Sequence, residues 1–137
     1  IPSIAISLVS KSGKNFQTAA RIGYKIAKMI FSSQFFGKIA NTAFLNVNVP
    51  DLPFEKICGI KITSLGKRFY DDTILTRKDP YGLLYHWLKG KFLGGENLPG
   101  TDIWSVSNGY VSITPLKINT TDFDAIEKLR KLQIKKL

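Results

Sequence analysis

Few residues in this chain have the types and spacing that chemistry needs. His86 is the single histidine, set in "LYHWL" with no cysteine or second histidine at ligand spacing, so zinc-type coordination has no support. Its apolar neighbours predict a packed, hydrogen-bonded imidazole instead. Asp71-Asp72 is a carboxylate pair of the kind that holds a divalent cation, yet adjacent residues of a strand point to opposite faces. Only a turn would bring both onto one metal. Ser112 and Thr114 lack the Gly-x-Ser-x-Gly elbow that exposes a nucleophilic hydroxyl, and "SGKN" and "GKIANT" lack the glycine spacing of a Walker loop. Cys58, the only cysteine, stands in the apolar run "KICGIKI" and reads as a buried, unreactive thiol. The sequence therefore assigns no catalytic, cofactor-binding or metal residue within the chain.

Charge is the stronger signal. Twenty basic residues face ten acidic ones over 137 residues, a net charge of +10, and residues 1–50 carry Lys11, Lys14, Arg21, Lys25, Lys28 and Lys38 without one acid. Such a block predicts either an anionic partner or an acidic neighbour in the same protein. A stand-alone basic module that binds nucleic acid, or a structural assembly module, is the alternative this composition raises; no helix-turn-helix, zinc-finger or RNP-type motif supports specific nucleic-acid binding. The apolar runs are too short to span a bilayer, and no basic stretch leads into an apolar segment with a cleavage site. The expectation is a cytoplasmic protein with no membrane partner.

The elements that must position these residues alternate between strand and helix. "IAISLV" is a near-continuous apolar run, as in a strand buried on both faces of a parallel sheet, and its place at the first residues predicts neighbouring strands in sequence that precedes Ile1. Asn15 to Phe31 reads as a helix capped by Asn15, with Phe16, Ala19, Ala20, Gly23, Ala27 and Ile30 inward and Arg21, Lys25 and Lys28 outward. Ser32 to Thr42 reads as a loop or a broken helical turn. "AFLNVNVPDLP" alternates Phe44, Asn46 and Asn48 against Leu45, Val47 and Val49, a strand closed by Pro50 and Pro53, and "ICGIKITSLG" is another, with Gly59 at a bulge.

Beyond these, Asp79-Pro80-Tyr81-Gly82 is a turn joining the arms of a long hairpin. Tyr81, Leu83, Tyr85 and Trp87 alternate on one side of it, and Leu84, His86 and Leu88 on the other. Two apolar faces on a projecting arm predict that another subunit covers it. "GTDIWSVSNGYVSITPL" permits two readings: a hairpin about Asn108-Gly109, or a short helix capped by Thr101, ended by Asn108 or Gly109 in the left-handed region and followed by a strand. Residues 119–137 read as a terminal helix with a capping box at Thr121 and Asp124, an apolar stripe of Phe123, Ile126, Leu129 and Leu137, and Lys131, Lys135 and Lys136 near its negative end.

Five collinear segments, "IPSIAISL", "FLNVNVPDLP", "GIKITSLGKRFY", "DPYGLLYHWLKG" and "TDIWSVSNGYVSITPL", closely resemble the C-terminal half of the survival protein SurE family. The resemblance implies the C-terminal part of a Rossmann-like three-layer α/β/α fold, with a projecting β-hairpin and a C-terminal helix. In that reading residues 1–50 are the remaining strand-helix-strand part of the core, and residues 51–137 are an extension that carries the oligomerisation hairpin and terminal helix. The activity implied for the parent protein is divalent-metal-dependent hydrolysis of nucleoside 5′- and 3′-monophosphates, using Mg or Mn. The resemblance places the family's metal-binding motifs, an Asn-Asp-Asp-Gly stretch, a downstream serine and the asparagine of a Ser-Gly-x-Asn loop, ahead of Ile1, so the segment alone is expected to be inactive. A homodimer or homotetramer is implied, with Tyr81, Leu83, Tyr85 and Trp87 in the interface. The resemblance also favours the short helix, cap and strand for Gly100 to Leu116.

Overall fold

The computed structural model describes residues 3–10, 12–32 and 44–132. In chain order its elements are β1 (Ile4–Val9), α1 (Phe16–Ser32), β2 (Phe44–Pro50), β3 (Gly59–Ile62), β4 (Arg68–Tyr70), β5 (Ile74–Lys78), β6 (Leu84–Leu88), β7 (Phe92–Gly95), α2 (Asp102–Ser107), β8 (Tyr110–Leu116) and α3 (Phe123–Lys131). Apart from Ser32, which ends α1, the segment expected as a loop after that helix lies outside the described residues.

A four-stranded sheet in the order β1-β2-β8-β3 forms the centre. β1 and β2 are parallel, β8 runs antiparallel to β2, and β3 is parallel to β8. Two of its strands precede residue 51 and two follow it. Strict alternation gives the sheet two chemically different faces. Val47, Val49, Val111 and Ile113 meet Ala19, Ile22 and Ile26 of α1 in the apolar core. Asn48, Ser112 and Thr114 lie on the opposite face, against α2. The result is a helix-sheet-helix sandwich, apolar on one side and lined by small polar groups on the other.

Two details of the core differ from the sequence reading. The inward face of α1 is Thr18, Ala19, Ile22, Gly23 and Ile26, whereas Phe16 and Ala20 are exposed. The stripe is rotated toward the two isoleucines because they meet the valines of β2 and β8, while Phe16 lies in the first turn, clear of the sheet. Arg21, Lys25 and Lys28 do face outward, and Arg21 and Lys25 stack on Phe54, at 3.8 and 4.8 Å from its ring centre. β1 is not buried on both faces: Ile6 and Val9 are 42 % and 41 % exposed. One helix covers one face, and among the described residues β2 is its only strand neighbour.

The start of α1 is tied to the end of β2 by one carboxylate. Asn15 stands at the expected cap position, its C=O accepting from the Thr18 and Ala19 amides. Asp51 accepts from the Ser10 hydroxyl, from the Lys14 and Asn15 backbone N–H groups at 3.1 and 2.8 Å, and from the Asn15 side-chain amide at 2.8 Å. The Ser10 hydroxyl, then the Lys14 N–H and the Asn15 amide, hold the Asp51 carboxyl well below the ordinary carboxylate range. A pKa depressed on folding stabilises the native state above the unfolded value of about 3.9, and that contribution is lost as pH falls below it toward the folded value. Urea midpoints of wild type and Asp51→Ala are therefore expected to differ most above about pH 4 and to converge as pH is lowered toward 2. A gap that stays constant with pH would remove the linkage.

The predicted long hairpin is present. β5 and β6 pair antiparallel from Ile74 with Leu88 to Lys78 with Leu84, and β4 and β7 continue the same ribbon toward the sheet. At its tip Asp79 Oδ1 accepts from the Tyr81 and Leu83 N–H groups, 2.9 and 2.8 Å away, and the Gly82 N–H donates to Asp79 O. The terminal helix also forms, with a shifted cap: Asp122, not Thr121, accepts the Ala125 N–H at 2.8 Å, because the first helical residue is Phe123. Its apolar stripe is uncovered at Phe123 and Leu129. Lys131 lies in the last turn as expected, while Leu137, Lys135 and Lys136 fall outside the described residues.

Candidate functional site

Strand order places a cleft at the carboxyl ends of the parallel pair β1 and β2, the end at which α/β sheets present their ligands. It has a volume of about 390 Å³ and is lined by Val9, Asn48, Tyr70, Phe92, Asp102 and Ser107, together with Arg68, Ile103 and Val106. Val9 ends β1 and Asn48 sits near the end of β2. The opposite wall is the β4–β7 ribbon. Arg68 and Tyr70 are two residues apart and share a face, and a register shift after Phe69 sets Phe92 opposite Tyr70. The two rings lie 5.6 Å apart at 58°.

Asp102 is the keystone of this arrangement. Its Oδ1 accepts from the Gly66 N–H at 2.8 Å and from its own helix, the Ile103 N–H, at 2.9 Å; among the described residues Oδ2 has only the Asn48 side-chain amide at 3.4 Å. A carboxylate in the first turn of α2 suits the positive end of that helix. Next to it Ile103 enters a slot walled by two glycines: a Cβ on Gly95 would lie 2.6 Å from Ile103 Cδ1, and one on Gly66 3.0 Å from the same atom. A side chain at either position would displace Ile103 and crowd a backbone carbonyl 3.3 Å away, that of Lys67 or of Glu96. The helix itself begins as the second sequence reading had it, with Thr101 Oγ1 accepting the Trp104 N–H at 3.2 Å, and Gly109, at φ 78°, is the left-handed residue that ends it. Behind Asn48, the fully buried Ser112 Oγ has no hydrogen-bond partner among the described residues.

The residues singled out for chemistry are not brought together. His86 Nδ1 and Thr76 Oγ1 are 2.9 Å apart, so the hydrogen bond expected of it exists, but the side chain is exposed on the hairpin and not packed. Cys58 is exposed, contrary to expectation, because β3 begins only at Gly59 and leaves the cysteine in the preceding turn. Gly59 likewise opens the strand in regular pairing with Tyr110 and makes no bulge. Asp71 Oδ1 accepts the Lys91 N–H, and no three His, Cys, Asp or Glu side chains gather as metal ligands among the described residues. Tyr81, Leu83, Tyr85 and Trp87 are 91 %, 69 %, 37 % and 64 % exposed, leaving their faces uncovered in the single chain.

Six of the ten acids share one role. Asp51, Asp71, Asp79, Glu96, Asp102 and Asp122 each accept a backbone N–H. One ion pair, Arg130 with Glu127, is formed among the described residues. The excess positive charge thus stays largely unneutralised by neighbours. The sequence reading noticed the basic excess and missed the cleft, whose members come from five separate elements; alternation in "KRFY" and the apolar "KFLGG" were the only local signs of its aromatic wall.

A parallel strand pair continued by an antiparallel strand, helices on both faces and a cleft at the carboxyl end define a Rossmann-like α/β protein. A family model described as survival protein SurE matches residues 1–72. The chain is 42 % identical over 135 residues to the 5'-nucleotidase SurE of Citrifermentans bemidjiense, covering 98 % of this chain and 53 % of that one. It is 36 % identical over 133 residues to the 5'-nucleotidase SurE of Aquifex aeolicus, covering 97 % and 51 %. The crystal structure of the SurE protein from Aquifex aeolicus superposes with a TM-score of 0.74 at 36 % identity, over 97 % of this chain and 52 % of that one. The chain belongs to the SurE family, and it spans about half the length of the curated relatives it matches.

Proposed function

We propose that the protein carrying this segment is a divalent-metal-dependent nucleotidase that removes phosphate from nucleoside 5′- and 3′-monophosphates in the cytoplasm. The observation that carries this reading is the near-full-length match of the chain to proteins named 5'-nucleotidase SurE, at up to 42 % identity, on a fold whose cleft opens at the carboxyl ends of its parallel strands. The described residues do not fit the metal: Asp71 is engaged by the Lys91 amide, and no ligand cluster forms. Mg or Mn would be held by residues outside this chain, and no step of the reaction is placed on residues within it. No described helix is long and apolar enough to cross a membrane.

The segment's own contribution is to complete the core and to assemble subunits. Tyr81, Leu83, Tyr85 and Trp87 of the hairpin form the contact of a homodimer or homotetramer. This is supported by the exposure of apolar side chains on both faces of an arm that, as a two-stranded ribbon, is marginally stable alone. The assay for the division of labour is direct. With nucleoside monophosphates and excess magnesium or manganese, the 137-residue chain is expected to show no turnover, while the longer protein that carries it hydrolyses them. Equal turnover by both would place the chemistry inside the segment and overturn the reading.

A further inference from the structure

We propose that the cleft between α2 and the β4–β7 ribbon binds the nucleoside part of the substrate, with the base against Tyr70 and Phe92, a sugar or base donor on Asp102 Oδ2, and Arg68 toward the phosphate. This rests on the nucleotidase reading and deepens it, because it assigns the recognition of the leaving group to this half of the molecule. Size is the first argument: about 390 Å³ lies within the range of small-ligand clefts, and this one has an aromatic wall, a cation and a polar floor. Geometry is the second. Tyr70 and Phe92 are 50 % and 54 % exposed, so aromatic surface that would normally seek cover is available to stack on a flat base.

Hydrogen-bond capacity is the third. Asp102 is 5 % exposed, and its two short hydrogen bonds are both on Oδ1. Among the described residues Oδ2 meets only the long contact from Asn48, which leaves a buried carboxylate oxygen able to accept a ribose hydroxyl or an exocyclic amino group. Arg68 stands two residues from Tyr70 on the same ribbon face and has no ion pair among the described residues, so its guanidinium is available to a phosphate. The tilted pair does not form a slot for one particular ring, and the site is therefore expected to accept both purines and pyrimidines.

The test compares AMP with ribose 5-phosphate, which keeps the phosphate and sugar and lacks the base, using the longer protein that carries this segment. Stacking of one base on one aromatic ring corresponds to roughly tenfold or more in affinity. Tyr70→Ala and Tyr70→Leu, the latter keeping apolar bulk without a flat ring, are expected to lower the ratio of kcat/KM for AMP to that for ribose 5-phosphate by about tenfold or more, chiefly through KM for AMP. An unchanged ratio in the folded Tyr70→Leu protein would overturn the proposal, including the case in which both substrates suffer equally. Should the wild type hydrolyse neither ester, the nucleotidase reading fails separately, and equilibrium dialysis of AMP decides the site: weaker binding in Tyr70→Leu supports it, and an equal Kd overturns it.

Discussion

Asp102→Ala is expected to lower the stability of the folded chain by about 2–4 kcal/mol, the range for removing a buried partner that leaves other polar groups unsatisfied. Three donors lose their acceptor at once: the Gly66 N–H, the Ile103 N–H and the Asn48 side-chain amide. The first of these ties the strand-end segment of β3 to α2, and the last ties α2 to β2. Both walls of the cleft thus loosen together. Asp102→Asn separates charge from hydrogen bonding. Its remaining oxygen keeps the two backbone donors, and a turned Asn48 amide can present its oxygen to the new –NH2. A loss of only about 1 kcal/mol is expected for that variant. Urea denaturation with an unchanged m-value reads both, and an Asp102→Ala loss below about 1 kcal/mol would show that the ribbon is held by Ile103 alone.

The second large effect is on assembly. Wild type is expected to scatter light as a dimer or tetramer, and Tyr85→Ala, Trp87→Ala to fall to the monomer mass. Covering two such rings removes on the order of 300 Å² from water, several kcal/mol at about 25 cal/mol per Å². That suffices to move an equilibrium by orders of magnitude. The register places Tyr85 beside Arg77 and Trp87 beside Leu75 on one ribbon face, so the double variant strips the aromatic content of that face and leaves the backbone ladder intact. A monomeric wild type, or a double variant of unchanged mass, would remove this assignment.

Legibility in the sequence followed the length of each pattern. The alternation "FLNVNV" is long enough to define both faces of β2, and both appear where the pattern puts them, the valines on α1 and Asn48 on α2. The hairpin turn was legible because Asp79, Pro80 and Gly82 each answer a local backbone requirement. Reading failed where tertiary geometry decides. Thr121 and Asp122 are equivalent caps until the helix start is known, and the small residues of α1 left its inward face ambiguous by one position until Ile22 and Ile26 met the sheet. The Gly100 to Leu116 stretch stayed open on local grounds, since Asn-Gly serves a hairpin and a helix end equally well; packing of Asp102 against Gly66 and Asn48 selects the helix. The cleft was hardest of all, because Val9, Asn48, Tyr70, Phe92 and Asp102 become neighbours only when the chain has closed on itself.

The position of β8 between β2 and β3 also orders events on the ribosome. β2 and β3 are never neighbours, so β3 has no ladder to join until Tyr110–Leu116 has left the exit tunnel. During that interval the whole hairpin, with its uncovered Leu83, Tyr85 and Trp87, has already emerged. Late closure of a distant strand is slow, and exposed ribbon edges in the meantime invite pairing with other nascent chains. A translational pause placed after the hairpin codons and before those for β8 is therefore expected to lower the soluble yield, whereas the same pause after β8 leaves it unchanged.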